Sequence, residues 1–445
     1  MDSTAHLPPA LMVRPAPTVL ETRAAVASGA ITVDAALAAC RANIEHLDLA
    51  LHAFTVVNDV APESVDPKRP LAGIAIGIKD LYDTAGMVTA YGSAIHARNI
   101  PDRDAALVTR LRALGGHVAG KTVTTEFAWR QAGLTVNPWN EGHTPGGSSS
   151  GSAAAVAAGL VPLAIGTQTF GSVIRPAAFC GIVGFMPGRA VLPLEGAHPL
   201  SPTLDHAGLF ARTLDDIAHT FSALVPPSGR APTRGAPRIR LVRGLYWNQA
   251  SEEQHAVIEE AASHFESRGA VVEARELPTV FDDGLAIAEV ILCHEAAEIF
   301  APVADRHPDL LSAHMKDLVT RGRALPAAAH REALAARAAL QATYAEEMRG
   351  WDSVLTLPAL GEAPPIEEGT GNAAPCVLWT LLGVPTITLP RSTGAQNLPL
   401  GLQLVGHACG DHTLLATSGW CDGLSQTLQE VPKLRSGSGQ CGSPQ

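Results

Sequence analysis

No run of about 18 apolar residues occurs anywhere in this chain, which excludes an apolar helix able to span a bilayer. The N-terminal MDSTAHLPPALMVRP also lacks the basic-then-apolar order of a secretory leader. Cations are in short supply: 32 lysines and arginines stand against 43 acidic residues, a formal net charge of −11. Phosphate backbones are held by clustered cations, so nucleic acid is a poor fit as the main ligand. The seven cysteines (Cys40, Cys180, Cys293, Cys376, Cys409, Cys421 and Cys441) are odd in number, scattered and without a CxxC pair. That usage favours reduced thiols in a cytoplasm over a disulfide framework. What is present is 445 residues, 46% hydrophobic and 17% charged, enough for one large or two modest cores. The expectation is a globular, cytoplasmic protein that binds neither nucleic acid nor membrane.

Hydrophobic spacing orders the chain into helices and strands. Residues 1–16 are proline-rich and read as an extended arm. From Thr18 to about Val57 the spacing is helical, with a stop at Gly29 and a cap at Thr32. LAGIAIGIKD (71–80) is a nearly unbroken apolar run suited to a central strand. Residues 104–114 read as an amphipathic helix stopped by Gly115 and Gly116, and HVAGKTVTTEF as a strand and turn. Strand, helix, strand in that order predicts βαβ units and a largely parallel sheet. Further on, RIRLV and AVVEAREL read as strands on either side of a helix stopped by Gly269. Residues 326–350 read as a long alanine-rich helix before the strand-like WDSVLTLPAL, and 433–445 as a Gly/Ser-rich flexible tail.

The chemistry gathers in two hydroxyl-rich loops. GGSSSG (146–151) gives a permissive backbone carrying three hydroxyls in a row. SAAAVAAGL then reads as a buried helix, and VPLAIGTQT as a buried strand ending in a second turn, Phe170-Gly171-Ser172. Upstream, Lys79 ends the strand of residues 71–80. Two readings are open there. Lys79 is either an edge lysine that snorkels to water or pairs with Asp80 or Asp83, or a desolvated amine of lowered pKa able to act as a general base. Around Ser149, residues 147–151 satisfy GxSxG, but TVNPWNEGHTP before them is no strand, which argues against a nucleophile elbow. The same run lacks the GK[ST] ending of a phosphate-binding loop. His294-Glu295-Ala296-Ala297-Glu298 is half of HExxH with Glu in the last place; it reads as a solvated helix, and no metal site is expected.

GIKD, then GGSSSGSAAAVAAG, then GTQTFGSVIRPAAFCGIVGF resembles the amidase signature family of serine hydrolases. The likeness continues through SPTLDHAGLFARTLDDIA (201–218) to GVPTITLP and LPLGLQLVG, so it covers nearly the whole chain. It weakens between Arg212 and about Gly371. The resemblance implies an α/β fold in one domain (17–432), a large mixed β-sheet between layers of α-helices. Within it, 71–220 would be the catalytic core, 221–371 a variable substrate-binding or lid region, and 372–432 a return to the core.

The resemblance also implies a Ser–Ser–Lys triad with no cofactor. Ser172 falls on the nucleophile, Ser148 on the bridging serine behind a cis Gly147–Ser148 bond, and Lys79 on the base. Backbone N–H groups of Thr169, Phe170, Gly171 and Ser172 fall on the oxyanion hole. Gly147, Ser149, Thr167, Gln168 and Arg175 would bind substrate or support these groups, and Asp205 would fix a neighbouring loop. Arg175 has two open readings: a hold on a substrate carboxylate, as in resembling enzymes acting on small carboxylated amides, or a structural ion pair beneath the turn. The chain departs from the family at Phe170, usually Gly or Ala, and at Met186, commonly Lys. The peptide N–H survives a phenylalanine, but its ring would narrow or line the acyl pocket. The implied activity is hydrolysis of an amide, with aryl acylamides or carbamates (urethanes) favoured by Phe170, in a monomer or homodimer. Two alternatives stand beside it: a glutamine-dependent amidotransferase A-type subunit working with partner chains, and a catalytically inactive binding module. Amidotransferase subunits of that type typically carry a GSDTGGSIRQPA-like sequence where this chain has GTQTFGSVIRPA.

Overall fold

The computed structural model describes residues 16–60, 64–227 and 235–422; most of the predicted arm and all of the predicted tail lie outside them. Eleven strands form one sheet: β1 (Phe54–Val57), β2 (Ala75–Lys79), β3 (His117–Thr122), β4 (Leu163–Gln168), β5 (Val183–Met186), β6 (His206–Ala211), β7 (Arg238–Leu241), β8 (Val271–Ala274), β9 (Ser353–Thr356), β10 (Thr386–Thr393) and β11 (Pro399–Val405). Their spatial order is β1-β3-β2-β4-β6-β5-β10-β11-β9-β7-β8.

Alternation along the central strands sets the two layers. Ile76 and Ile78 of β2, with Leu163 and Ile165 of β4, face one apolar cluster, which also takes Leu107 and Leu111 from Ala106–Ala113 and Phe221 from Leu214–Leu224. Ala75 and Ala164 face the other side, against the all-buried helix Ser150–Ala157 and the helix Val33–Leu51. A further cluster packs the helices Gly284–Arg306, Ala313–Ala324, Ala327–Glu347 and Ala374–Leu382 together. The α/β fold with a mixed sheet between helical layers is therefore present. No described helix is long and apolar enough to cross a membrane.

Two sequence expectations need correction. The sheet is not largely parallel. β2 is parallel to β3 and β4, and β7 to β8 and β9, while the pairings through β6, β5, β10 and β11 in the middle are antiparallel, as is β1 with β3. Apolar alternation reports which face a residue takes and carries no strand direction. Nor does helical structure extend to Val57. After Val19–Ala27 and Val33–Leu51, His52 adopts a left-handed backbone (φ 54°), and Asp48 accepts the N–H groups of Ala53 (2.7 Å) and Phe54 (3.1 Å). The chain then enters β1, antiparallel to β3. The caps at Thr18 and Thr32 are as expected.

Candidate active site

Lys79 is the last residue of β2, and the strand's alternation puts it on the face opposite Ile78. Its side chain is fully buried (0% exposed), so it does not snorkel. Nζ lies 2.8 Å from Ser148 Oγ and 2.8 Å from Thr167 Oγ1. Neither Asp80 nor Asp83 pairs with it. Asp80 instead faces a second buried lysine, Lys121 of β3, at 3.4 Å, and the Asp83 carboxylate accepts the Tyr91 hydroxyl at 2.7 Å. Burial pushes the Lys79 pKa well below its usual value, with the charge of Asp205 opposing the shift. Lys121, equally buried but beside a carboxylate, is lowered only to about 8.

The loop above Lys79 is held by glycine geometry and hydroxyls. Gly146 has φ +82°, a backbone that favours glycine, and a Cβ on Gly147 would stand 2.6 Å from Thr370 Cγ2, so Thr370 would have to shift. The Gly147–Ser148 peptide bond is cis. Ser149 Oγ donates to the Thr167 carbonyl (3.1 Å) and accepts the Thr167 N–H (3.3 Å), which fastens the loop to β4. Thr125 N–H donates to the Ser148 carbonyl at 3.2 Å.

The second turn is braced from beneath. Gln168 Oε1 accepts the N–H groups of Val173 (2.8 Å) and Ile174 (3.0 Å), capping the helix Ile174–Cys180 that follows Ser172. Gln168 Nε2 donates to Thr380 Oγ1 (2.9 Å), whose hydroxyl donates to the Phe170 carbonyl (2.8 Å). Thr169 Oγ1 donates to Asp205 (2.6 Å), and the other Asp205 oxygen accepts Leu200 N–H (2.9 Å) and Ser201 N–H (3.0 Å). Burial raises the Asp205 carboxyl to about 6 against those hydrogen bonds. The N–H groups of Thr169, Phe170, Gly171 and Ser172 have no protein acceptor among the described residues. Four free donors in one turn can receive a negatively charged oxygen.

Ser148, Thr169, Phe170, Ser172 and Arg175 line one cavity of about 350 Å³. Lys79, Ser149, Thr167 and Gln168 stand behind its wall, and Gly171 packs towards Ala373 and Cys376. Arg175 is buried (4% exposed) and donates to the Gly147 carbonyl (2.6 Å) and to Thr370 Oγ1 (3.3 Å). It has no carboxylate partner among the described residues, so the structural ion pair is not there. Phe170 lines the cavity edge-on to Trp129, ring centroids 5.8 Å apart. Met186 is buried in β5, 3.9 Å from the Thr380 hydroxyl. The His294–Glu298 half-motif lies on the helix Gly284–Arg306, where His294 stacks on His330. No group of three or more potential metal ligands occurs among the described residues.

Sequence reasoning missed several of the lining residues: Trp129, Arg130 and His314, and the strip from Glu368 to Ala373. The strip carried a signal, since EEGTGN sets two glycines around Thr370 just before an apolar helix. A larger cavity of about 530 Å³ borders Ala374, Pro375, Val377, Leu378 and Trp379 of the helix Ala374–Leu382, with Val242, Leu277 and Phe281. It holds none of the predicted site residues, which line the smaller one or stand behind it.

Comparison with known proteins places this geometry in a family. The chain is 31% identical to the A-type subunit of the glutamyl-tRNA(Gln) amidotransferase of Natronomonas pharaonis, over 80% of this chain and 97% of the relative. The solved structure of the corresponding glutamyl-tRNA(Gln) amidotransferase protein of Thermotoga maritima is similar at a TM-score of 0.81 and 26% identity, covering 94% of this chain and 98% of that one. Native peptide amidase from Stenotrophomonas maltophilia is similar at a TM-score of 0.78 and 26% identity, covering 94% and 98%. The Amidase family profile matches residues 35–415, and the chain belongs to the amidase signature family.

Proposed function

We propose that this protein hydrolyses a carbonyl C–N bond through an acyl-enzyme on Ser172, activated by a Ser148–Lys79 relay. The observation that carries the reading is Lys79: a buried amine with no carboxylate partner among the described residues, its Nζ 2.8 Å from Ser148 Oγ. A lysine in such a setting is neutral at a pH where an ordinary lysine is charged, and its lone pair can accept a proton. Lys79 takes the Ser148 proton while Ser148 takes that of Ser172, whose oxygen attacks the carbonyl carbon. The carbonyl electron pair moves to oxygen, facing the free N–H groups of residues 169–172, of which each donor is worth about 10²–10³ in rate. Collapse of the tetrahedral species breaks the C–N bond, and the relay runs backwards to protonate the leaving amine. Water then cleaves the ester by the same path.

In this scheme residues 71–220 form the catalytic core and 372–432 complete it. Residues 221–371 shape access, a role that His314 and Glu368 at the cavity support. The aromatic pair of Trp129 and Phe170 favours linear amides or carbamates with a flat group, aryl acylamides and urethanes among them. A fluorophosphonate should label Ser172, shown by peptide mapping. Absence of labelling together with absence of amide turnover would overturn the mechanism. The second reading, an amidotransferase A-type subunit, is favoured by the 31% identity to a protein of that kind from a glutamyl-tRNA(Gln) amidotransferase. Glutaminase activity that appears only with co-purified partner chains would establish it instead.

A further inference from the structure

The cavity is electrostatically lopsided in a protein of net charge −11. Arg175, buried, and Arg130, exposed, both line it, together with His314 and one carboxylate, Glu368. The two guanidiniums are near enough to repel, and neither has a carboxylate partner among the described residues. Arg130 is not a loose surface arginine. Its guanidinium lies over the Trp129 ring, 4.8 Å from the centroid, which fixes the charge in place.

The segment presenting it is conformationally costly. Phe127, Ala128 and Arg130 all have left-handed backbones, with φ of +47°, +65° and +49°. Non-glycine residues adopt that region at about 1–2 kcal/mol each, and such outliers gather at ligand clamps. The segment is tied at several points. Phe127 N–H donates to the Tyr91 carbonyl (2.8 Å), and Glu126 N–H to the Gln131 carbonyl (3.2 Å). The Glu126 carboxylate accepts Ser312 N–H (3.1 Å), at the cap of the helix carrying His314. The sequence keeps three unfavourable residues in order to hold Trp129 and Arg130 against the cavity.

We propose that Arg130, stacked on Trp129, is an anion-recognition subsite at the cavity mouth that selects amides carrying a carboxylate. This rests on the amidase reading of the cavity and narrows its substrate class to acidic amides. A matched pair, 4-acetamidobenzoate and acetanilide, isolates the charge. In the wild type the acid should be preferred in kcat/KM, and the preference should shrink as salt rises. Arg130→Gln should lower the acid-to-neutral ratio about tenfold, the scale of one charged hydrogen bond, through KM. Arg130→Glu should invert the preference, and Arg130→Lys should keep part of it. The ratio is taken within one preparation, so partial misfolding cancels. An unchanged ratio in Arg130→Gln and Arg130→Glu would overturn the subsite. If no turnover is found, binding of 4-acetamidobenzoate to the Ser172→Ala protein by calorimetry gives the same test. Loss of that binding in Arg130→Gln supports the subsite whatever becomes of the mechanism, and equal binding refutes it.

Discussion

Replacing Lys79 by methionine reads the protonation state of the proposed base without any substrate. Methionine keeps an unbranched chain of similar length but cannot titrate. In the folded protein burial holds the Lys79 pKa well below its usual value, while the unfolded chain restores about 10.4. Between those two values the unfolded state binds one more proton than the folded state. Stability therefore rises with pH across that window, by up to about 1.4 kcal/mol per pH unit. Across that window the neutral amine contributes added stability that Lys79→Met lacks. The variant also loses the Nζ contacts to Ser148 and Thr167, but that loss is the same at every pH.

Urea denaturation of both proteins at pH 7, 8 and 9 measures the effect. Lys121 has its pKa lowered to about 8 and adds a slope of the same sign above that pH. It does so in both proteins and cancels in the difference. The unfolding free energies should diverge steadily, the wild type gaining on the variant as pH rises. Parallel curves would mean that folded Lys79 keeps its proton to pH 9. It would then be no proton acceptor at neutral pH, and the relay would fail with it.

Two further substitutions probe the supports of the site. Lys121→Met strands the buried Asp80 carboxylate, which now faces Lys121 at 3.4 Å, so stability should fall by about 3–5 kcal/mol; a wild-type urea midpoint would show that the pair is energetically empty. Thr380→Val keeps shape but leaves Gln168 Nε2 and the Phe170 carbonyl without partners, a cost of about 1–3 kcal/mol for each buried group. The rate of Ser172 labelling by a fluorophosphonate should drop about tenfold as the turn loosens, if about 1.4 kcal/mol of that cost is felt in the transition state; an unchanged rate would show that the brace is not needed.

The residues on the short apolar elements were legible because their pattern is local. An unbroken run ending in Lys79, and hydroxyl-rich glycine loops at Ser148 and Ser172, stand out in any window of ten residues. The supports were not, because they are made by chain segments far apart. Gln168 meets Thr380 across 212 positions, and Arg175 meets Thr370 across 195. Asp80 looked like a partner for its neighbour Lys79, yet adjacent strand residues point to opposite faces, and the carboxylate found Lys121 instead. The end of the helix at Leu51 was hidden for another reason. Apolar spacing continues through Phe54 and Val57, and what breaks the helix is one left-handed residue, His52.

In the proposed mechanism Phe170 ties positioning to specificity. Its carbonyl is held by Thr380 and the Gln168 cap stands just behind it. Its ring leaves the turn to join Trp129, Leu200 and the helix Gly284–Arg306 in one apolar cluster. Burying a phenyl ring contributes about 1.5–3 kcal/mol, which anchors the turn to the region where the family resemblance is weakest. A glycine or alanine at that place would remove this apolar link and leave the turn joined to that helix through Asp205, Ser201 and Glu295. Here Ala288, Ile291 and Leu292 share one apolar cluster with Trp129 and Phe170, so repacking of that helix has a route to the Ser172 turn. The same contact adjoins Arg130, so in the proposed mechanism a change at the anion subsite would also be felt at the turn that carries the four N–H groups.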